Sequence, residues 1–340
     1  CMQGETDFKE VQVLPDKTVQ FYYSLLDSRD SELPLLDHEL IDKKLEKLVL
    51  SPTSLNQFLA CPRSFYFESI LGVPLSNNQY LGFGNAVHDA LHLFLNKLKN
   101  GLEANPETIK ELFEISIQKF RSFFTPKQFE NYLAHGLDIL PRYVEDKLPL
   151  WREADMLLAE KGIDHVIHKD VPITGRLDLM LRGKDGRLRV IDFKTGNVDN
   201  TVQLNKKLKP AKDYSDIGGD YWRQVVFYQI LLAERKDANG HMDEGIMSFV
   251  EYDKYGQFVD RQFLVNYGEV EIVSDQLVDS YQKMKNHEFD VDCNRPECTW
   301  CSFIKNDYVL PAESIRESEE ENEDRYLSFG EDTIQLHFDF

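Results

Sequence analysis

Apolar and polar positions alternate from Leu188 to Lys194, the pattern of a half-buried β-strand. Leu188, Val190 and Asp192 share one face of this predicted strand, and the period of two places Lys194 on the same face. The strand is expected to end there, because a Thr-Gly turn follows directly. The pattern therefore predicts a carboxylate and an ammonium group side by side at a strand end, where together they can hold a divalent metal and neutralise an oxyanion.

A second strand is predicted upstream, from Ile173 to Leu181, and Gly183-Lys184-Asp185-Gly186 supplies the turn between the two. A hairpin of this length brings Asp178 alongside Asp192. Two carboxylates that close together repel each other or share a proton unless a cation joins them. Two acids and a lysine on paired strands therefore predict a site for a hard metal ion.

An Asp-x-Lys pair on an exposed strand is more often solvated charge than a functional site. Here the neighbours Val190, Ile191 and Phe193 are apolar, and they place Asp192 at the edge of a core. Ionised acids seldom lie there without a partner or a metal. The apolar surroundings therefore favour the functional interpretation.

Helical periodicity begins at Ser51, a predicted N-cap that is followed by Pro52 at the first helical position. An amphipathic helix is predicted to open at Gly82-Phe83-Gly84, and helix is predicted to continue over residues 106–161. His88 falls at the edge of the apolar stripe of the first of these helices. On pattern alone, a histidine in that position is more often a packed core residue than a ligand.

Strands and helices alternate beyond residue 162. The predicted elements are strands Ile163–Val171, Ile173–Leu181, Leu188–Lys194, Gly245–Tyr252 and Gln257–Val265, and helices Tyr221–Leu232 and Glu269–Lys285. This order indicates an α/β core. The loop Asn197–Asp220 is a candidate phosphate-contacting segment, although such loops are more often only solvated; its lysines are Lys206, Lys207, Lys209 and Lys212.

Composition places the chain among soluble globular proteins, since 42% of its 340 residues are hydrophobic and 29% are charged. It has no apolar run of spanning length and no signal peptide, and five cysteines without disulfide spacing fit a reducing compartment. We therefore expect a cytoplasmic protein that does not contact a membrane. The net charge of −20 is unusual for a nucleic-acid-binding protein, but residues 313–325 alone carry seven acids against two arginines. Net charge thus does not exclude DNA.

Five short motifs occur in a defined order between Ser51 and Cys301. They are Leu-Ser-Pro-Thr-Ser-Leu-Asn-Gln-Phe-Leu-Ala-Cys-Pro-Arg-Ser-Phe-Tyr-Phe at the helix start, Gly84–His88, Gly175–Asp178, Val190–Gly196 and the helical pair Gln224 and Tyr228. Together they resemble the PD-(D/E)xK nuclease superfamily, specifically the RecB/AddB-type branch found at the C-terminus of helicase–nucleases. Each motif is weak alone, and their common order makes the resemblance strong.

The resemblance implies an α/β restriction-endonuclease-like core, a mixed central sheet flanked by helices, with an N-terminal helical subdomain. The implied divisions are a linker or the tail of a preceding helicase region over 1–50, a nuclease domain over 51–309 (helical part 51–161, catalytic core 162–290, cysteine-containing segment 291–309) and an acidic tail over 310–340. The start at Cys1 rather than at a methionine suggests a fragment or a processed product of a longer protein.

The family's functional residues map onto matching positions of this chain. His88, Asp178 and Asp192 would be metal ligands for Mg²⁺ or Mn²⁺, with the backbone carbonyl of Phe193 as a further oxygen ligand. Lys194 would orient the attacking water or neutralise developing charge. The resemblance also gives catalytic roles to the helical pair Gln224 and Tyr228.

The cysteines pose a second question. AddB-type members bind a [4Fe–4S] cluster through one cysteine before the nuclease core and three after it, and Cys61, Cys298 and Cys301 match the first three positions. The family's last cysteine is replaced by Asp307, while an additional Cys293 precedes Cys298. A cluster, a zinc ion and simple packing of the thiols all stay open for Cys61, Cys293, Cys298 and Cys301.

The resemblance favours a metal-dependent deoxyribonuclease that is attached to helicase motor domains and acts in double-strand-break repair or recombination. Two alternatives are a catalytically inactive module that guides DNA in a helicase complex and a standalone exonuclease of phage or CRISPR-adaptation type. The complete acid–acid–lysine set favours an active enzyme. The peptide Thr333–Phe340 also resembles sequences that dock on sliding clamps, although a segment packed on its own domain is the more common case.

Overall fold

A mixed five-stranded β-sheet lies between two layers of helices in the computed structural model, which describes residues 38–73, 78–235 and 240–305. The described α-helices are α1 (His38–Leu45), α2 (Pro52–Ala60), α3 (Pro62–Phe65), α4 (Gln79–Lys99), α5 (Pro106–Lys119), α6 (Pro126–Glu153), α7 (Thr201–Leu208), α8 (Asp220–Ala233), α9 (Tyr267–Lys285) and α10 (Thr299–Lys305). The described strands are β1 (Met156–His168), β2 (Val171–Arg182), β3 (Leu188–Lys194), β4 (Glu244–Tyr252) and β5 (Phe258–Phe263). This architecture confirms the predicted α/β class, a mixed central sheet flanked by helices.

The strands follow one another across the sheet in chain order, and every neighbouring pair is antiparallel except β3 and β4. Parallel neighbours require a crossover connection, which α7 and α8 provide here. The carboxyl ends of β3 and β4 therefore lie at the same edge of the sheet. In this parallel pair Asp192 lies beside Met247, and Lys194 lies beside Phe249.

Strand β3 is buried on both faces, which corrects the prediction of a half-buried strand. Val190 belongs to the core that α2, α8 and α9 cover, together with Trp222. Ile191 and Phe193 belong to the core that α4, α5 and α6 cover, together with Phe94. Because helices cover both faces of the sheet, a central strand is apolar almost throughout.

The segment before the first motif is part of the folded domain. Helix α1 buries Ile41 and Leu45 in the core, and Leu50 forms a parallel bridge to Ile173 of β2. Residues 38–50 thus pack on the domain, and the assignment of residues 1–50 to a linker or the tail of a preceding helicase region stays a prediction. Ser51 caps α2 as predicted, accepting a hydrogen bond from the Ser54 amide at 3.1 Å.

The helical part ends earlier than predicted. Helix α6 stops at Glu153 and β1 begins at Met156, so the predicted helix up to residue 161 and the predicted strand start at Ile163 are both wrong. Residues 156–161, Met-Leu-Leu-Ala-Glu-Lys, are good helix formers. Pairing with β2 along the sheet edge overrides that local preference. Similarly, α7 lies within the segment predicted as a loop, Asn197–Asp220.

Among the described helices, none combines the length and apolar character that crossing a bilayer requires. The rest of the predicted linker (1–37), the acidic run 313–325 and the Thr333–Phe340 peptide all lie outside the described residues.

Candidate active site

The candidate site forms where β2 and β3 separate. Their backbone pairing ends at Leu179 and Ile191. Beyond that point the Asp178 side chain takes the place of a backbone acceptor, because its Oδ2 accepts a hydrogen bond from the Phe193 amide at 2.8 Å. The splayed hairpin thus brings Asp178 next to the peptide that follows Asp192, as the hairpin prediction required.

Asp192 and Lys194 form a buried ion pair at the end of β3. Lys194 Nζ lies 3.0 Å from Asp192 Oδ2. The two residues are only 3% and 4% exposed, although both carry charge. Charges this deeply buried persist only with close partners. The predicted arrangement of carboxylate and ammonium on one strand face is present.

The other Asp192 oxygen is held by helix α8. Tyr228 donates its hydroxyl to Asp192 Oδ1 at 2.7 Å, and Gln224 Nε2 donates to the same oxygen at 3.0 Å and to Tyr228 Oη at 2.7 Å. Residues four apart share one face of a helix, so both side chains reach β3 together. Their contacts favour positioning of Asp192 rather than the direct catalytic role that the resemblance implies.

His88 reaches the site from α4 as the resemblance implies. Its Nδ1 lies 3.4 Å from Asp178 Oδ2, and both side chains are partly exposed. Burial raises the pKa of Asp178, but His88, the Phe193 amide and Lys194 together outweigh burial and hold it below its usual range. Each acid therefore has a basic side chain beside it, His88 for Asp178 and Lys194 for Asp192.

The donor set suits a hard divalent ion, because carboxylate oxygens and an imidazole nitrogen are ligands that Mg²⁺ and Mn²⁺ accept. The expected ligands are His88, Asp178, Asp192 and the Phe193 carbonyl. The side chains of this set do not form a tight cluster. Among the described residues, only the four cysteines place three or more metal-ligating side chains within 4.8 Å of one another. Lys194 occupies the neighbourhood of Asp192 Oδ2 instead.

Two residues near this site have no signal in the sequence pattern. Tyr221, at the start of α8, lies under the ammonium groups of both Lys194 and Lys207, at 4.9 and 5.3 Å from its ring centre. Glu160 of β1 has a φ of +44°, uncommon for a residue with a side chain, and accepts a hydrogen bond from Arg176 at 3.1 Å. Both residues contact side chains on other helices or strands, so no local spacing in the sequence reveals them.

The four cysteines of the core converge at a second place. Cys61, between α2 and α3, lies 3.6 Å from both Cys298 and Cys301, measured between Sγ atoms. Cys293 Sγ lies 3.7 Å from Cys301 Sγ. The contact between Cys61 and Cys298 raises the pKa of Cys61 and lowers that of Cys298 to about 4. Positions separated by more than 230 residues thus form one thiol cluster.

No curated protein matches the chain in sequence. Similar solved structures include SSO0001, at 16% identity with a TM-score of 0.35 (81% of this chain, 95% of that one), and a "Putative exonuclease" from Eubacterium rectale, at 15% identity with a TM-score of 0.45 (85% and 100%). The model of the PD-(D/E)XK nuclease superfamily matches residues 49–305. That span contains the splayed hairpin, both acids, the lysine and the helix that holds them, and the chain belongs to the PD-(D/E)XK nuclease superfamily.

Proposed function

We propose that this chain is an Mg²⁺- or Mn²⁺-dependent deoxyribonuclease that hydrolyses phosphodiester bonds in DNA. One observation carries the proposal: Asp178, Asp192 and Lys194 form a complete set at one strand end, with His88 beside the first acid. An inactive DNA-guiding module has no need to keep a buried lysine paired with a buried acid. The intact set therefore favours an enzyme over that alternative.

The chain's own residues would hold the ion and prepare the reaction. His88, Asp178, Asp192 and the Phe193 carbonyl are the expected ligands. When bound, a divalent ion lowers the pKa of a coordinated water and neutralises charge on the phosphate. Tyr228 and Gln224 hold Asp192 Oδ1 from α8, which fixes the carboxylate plane and directs Oδ2 towards Lys194.

Lys194 is the residue that would act on the substrate. Its ammonium forms an ion pair with Asp192 Oδ2 at 3.0 Å and lies over the Tyr221 ring, so it is held at the strand end with little freedom. From this position it can donate a hydrogen bond to the attacking water or to a non-bridging phosphate oxygen. Fixed donors aimed at developing charge are worth about 10²- to 10³-fold in rate.

We further propose that the domain works with helicase motor domains, in the same polypeptide or complex, during double-strand-break repair or recombination. The support is the order of the sequence motifs, which resembles the RecB/AddB-type branch. A standalone exonuclease of phage or CRISPR-adaptation type is the alternative. Co-purification of the native protein with an ATP-dependent helicase separates the two.

Cleavage of linear DNA by the purified chain tests the enzyme assignment. Wild type should cleave with Mg²⁺ or Mn²⁺ and not with EDTA. Lys194→Ala should lose at least about 100-fold in rate, yet keep the rise in melting temperature that Mg²⁺ causes, because the lysine is not a ligand. Asp192→Ala should lose both cleavage and that rise.

Lys184→Ala is the matched control, since Lys184 lies in the turn at the opposite end of the same hairpin; it should behave as wild type. Cleavage by Lys194→Ala at the wild-type rate would overturn the assignment. A wild-type chain that metal stabilises but that cleaves no DNA would instead support the inactive module.

A further inference from the structure

The four clustered cysteines are free thiols that face one another. Cys61, Cys298 and Cys301 are at most 2% exposed, and Cys293 is half-buried. Their Sγ separations of 3.6 to 3.7 Å are far longer than the ~2.05 Å of a disulfide bond. The cluster is therefore not a pair of disulfides.

The surroundings of the thiols suit negatively charged sulfur. The Ser64 amide donates to Cys61 Sγ at 3.4 Å, and Arg295 Nε donates to Cys293 Sγ at 3.5 Å. Hydrogen bonds from the protein to ligating atoms are the usual support of a metal centre. Thiols that merely pack do not need such donors.

The spacing indicates how many metal atoms the cluster would hold. Four sulfurs at about 2.3 Å from one zinc ion, at tetrahedral angles, lie about 3.8 Å from one another. In a [4Fe–4S] cluster each cysteine binds a different iron, so the sulfurs are held much farther apart. The four ligand atoms here all lie within 4.8 Å of one another. That spacing matches one shared ion and is too short for a cubane cluster.

We propose that Cys61, Cys293, Cys298 and Cys301 bind a single tetrahedral metal ion, zinc, in place of the [4Fe–4S] cluster that the family resemblance implies. The site is closed, with four thiolates and no open position, as in structural zinc centres. Cys293 supplies the fourth thiolate. The proposal does not depend on the nuclease assignment.

The ion would cross-link parts of the chain that are distant in sequence. It would join the α2–α3 junction to the segment that leads into α10, across 240 residues between Cys61 and Cys301. Binding to such a site contributes directly to folding, because the unfolded chain cannot preform it. Loss of the ion should therefore loosen the contact between α3 and α10.

Metal analysis of the full chain, purified without oxygen, tests the proposal. We expect one zinc per chain, no visible colour, and no cluster after anaerobic incubation with iron and sulfide. Cys293→Ser should lower both zinc content and melting temperature, whereas Cys1→Ser, at the fifth cysteine, should change neither. Should Cys293→Ser fail to fold, titrating wild type with an organomercurial should release one zinc as four thiols react.

About four irons and four sulfides per chain, with a brown colour that Cys293→Ser removes, would overturn the proposal in favour of the cluster. A single iron would uphold the one-ion site and reject zinc as its metal. Stable, metal-free protein that takes up no zinc would show that the thiols only pack.

Discussion

Asp192 shows how a single buried charge organises this site. The side chain is 3% exposed and is met by Lys194 on one oxygen and by Tyr228 and Gln224 on the other. Removing any donor from a buried carboxylate leaves part of its desolvation cost uncompensated. The hydroxyl of Tyr228 should therefore matter to the reaction through its hydrogen bond to Asp192.

Tyr228→Phe should slow DNA cleavage by about 10- to 100-fold, because a hydrogen bond to a charged group contributes about 1.5–3 kcal/mol. The ring is kept, so the packing of α8 should be unchanged. Single-turnover cleavage and the melting temperature, measured on the same preparation, check this.

Tyr143→Phe is the matched control. Tyr143 is also buried, in the core that α4, α5 and α6 cover, and its hydroxyl lies 2.6 Å from Ser248 Oγ. Both variants should lose stability, and only Tyr228→Phe should lose rate. Equal loss of rate in the two would mean that the Tyr228 effect is structural.

At the scale of elements, close packing sets where α8 and α6 lie on the sheet. A Cβ added at Gly245 of β4 would come within 2.2 Å of Val225 of α8. The bare backbone at Gly245 thus lets α8 approach closely enough for Gln224 and Tyr228 to reach Asp192. On the other face, α6 is tied to β4 by His135, whose Nε2 lies 2.9 Å from Glu251 Oε1.

The His135–Glu251 pair should make stability fall with rising pH. The hydrogen bond to Glu251 raises the pKa of His135 in the folded chain. The stabilisation is complete below the unfolded pKa of about 6.5, and it is lost as the pH rises through the raised value. His135 is 40% exposed, so solvent limits the effect to about 0.2–1 kcal/mol.

Thermal unfolding of wild type and His135→Gln at pH 6 and pH 8.5 measures this. The melting temperature of the wild type should exceed that of the variant at pH 6, and the difference between them should shrink at pH 8.5. A difference that stays constant or grows with pH would contradict the assignment of the proton to His135.

At the scale of the whole molecule, charge is distributed unevenly. The chain has a net charge of −20, and residues 306–340 contribute eleven acids against two bases. Long-range repulsion between this acidic segment and DNA phosphates should slow association at low salt. The proposed nuclease site would depend on metal cations and local lysines for attraction to DNA.

Deleting residues 306–340 should therefore tighten DNA binding at about 0.05 M salt, and the gain should disappear near 1 M, where the Debye length is about 3 Å. Binding is best followed by fluorescence anisotropy with a labelled oligonucleotide and Ca²⁺, which limits cleavage. The control is a full-length variant with the acids of 313–325 changed to their amides; it should behave like the deletion. A gain that is independent of salt would point to steric masking instead.

The sequence by itself determined what lies within one element or across one tight turn. A period of two placed Asp192 and Lys194 on one face of β3, and a separation of four placed Gln224 and Tyr228 on one face of α8. The Gly183–Gly186 turn set the hairpin that brings Asp178 in. These relations hold because backbone geometry alone fixes them.

The tertiary structure alone decided which distant parts meet. Helix-forming residues at 156–161 became strand because β2 offered unpaired backbone groups, and residues 38–50 joined the core. His88 could be assigned from the resemblance, but its approach to Asp178 depends on how α4 packs on the sheet. The 3.6–3.7 Å spacing of the thiols, which favours one ion over a cluster, arises from contacts across 240 residues. No local period reaches that far, since only the packing of the whole domain fixes such distances.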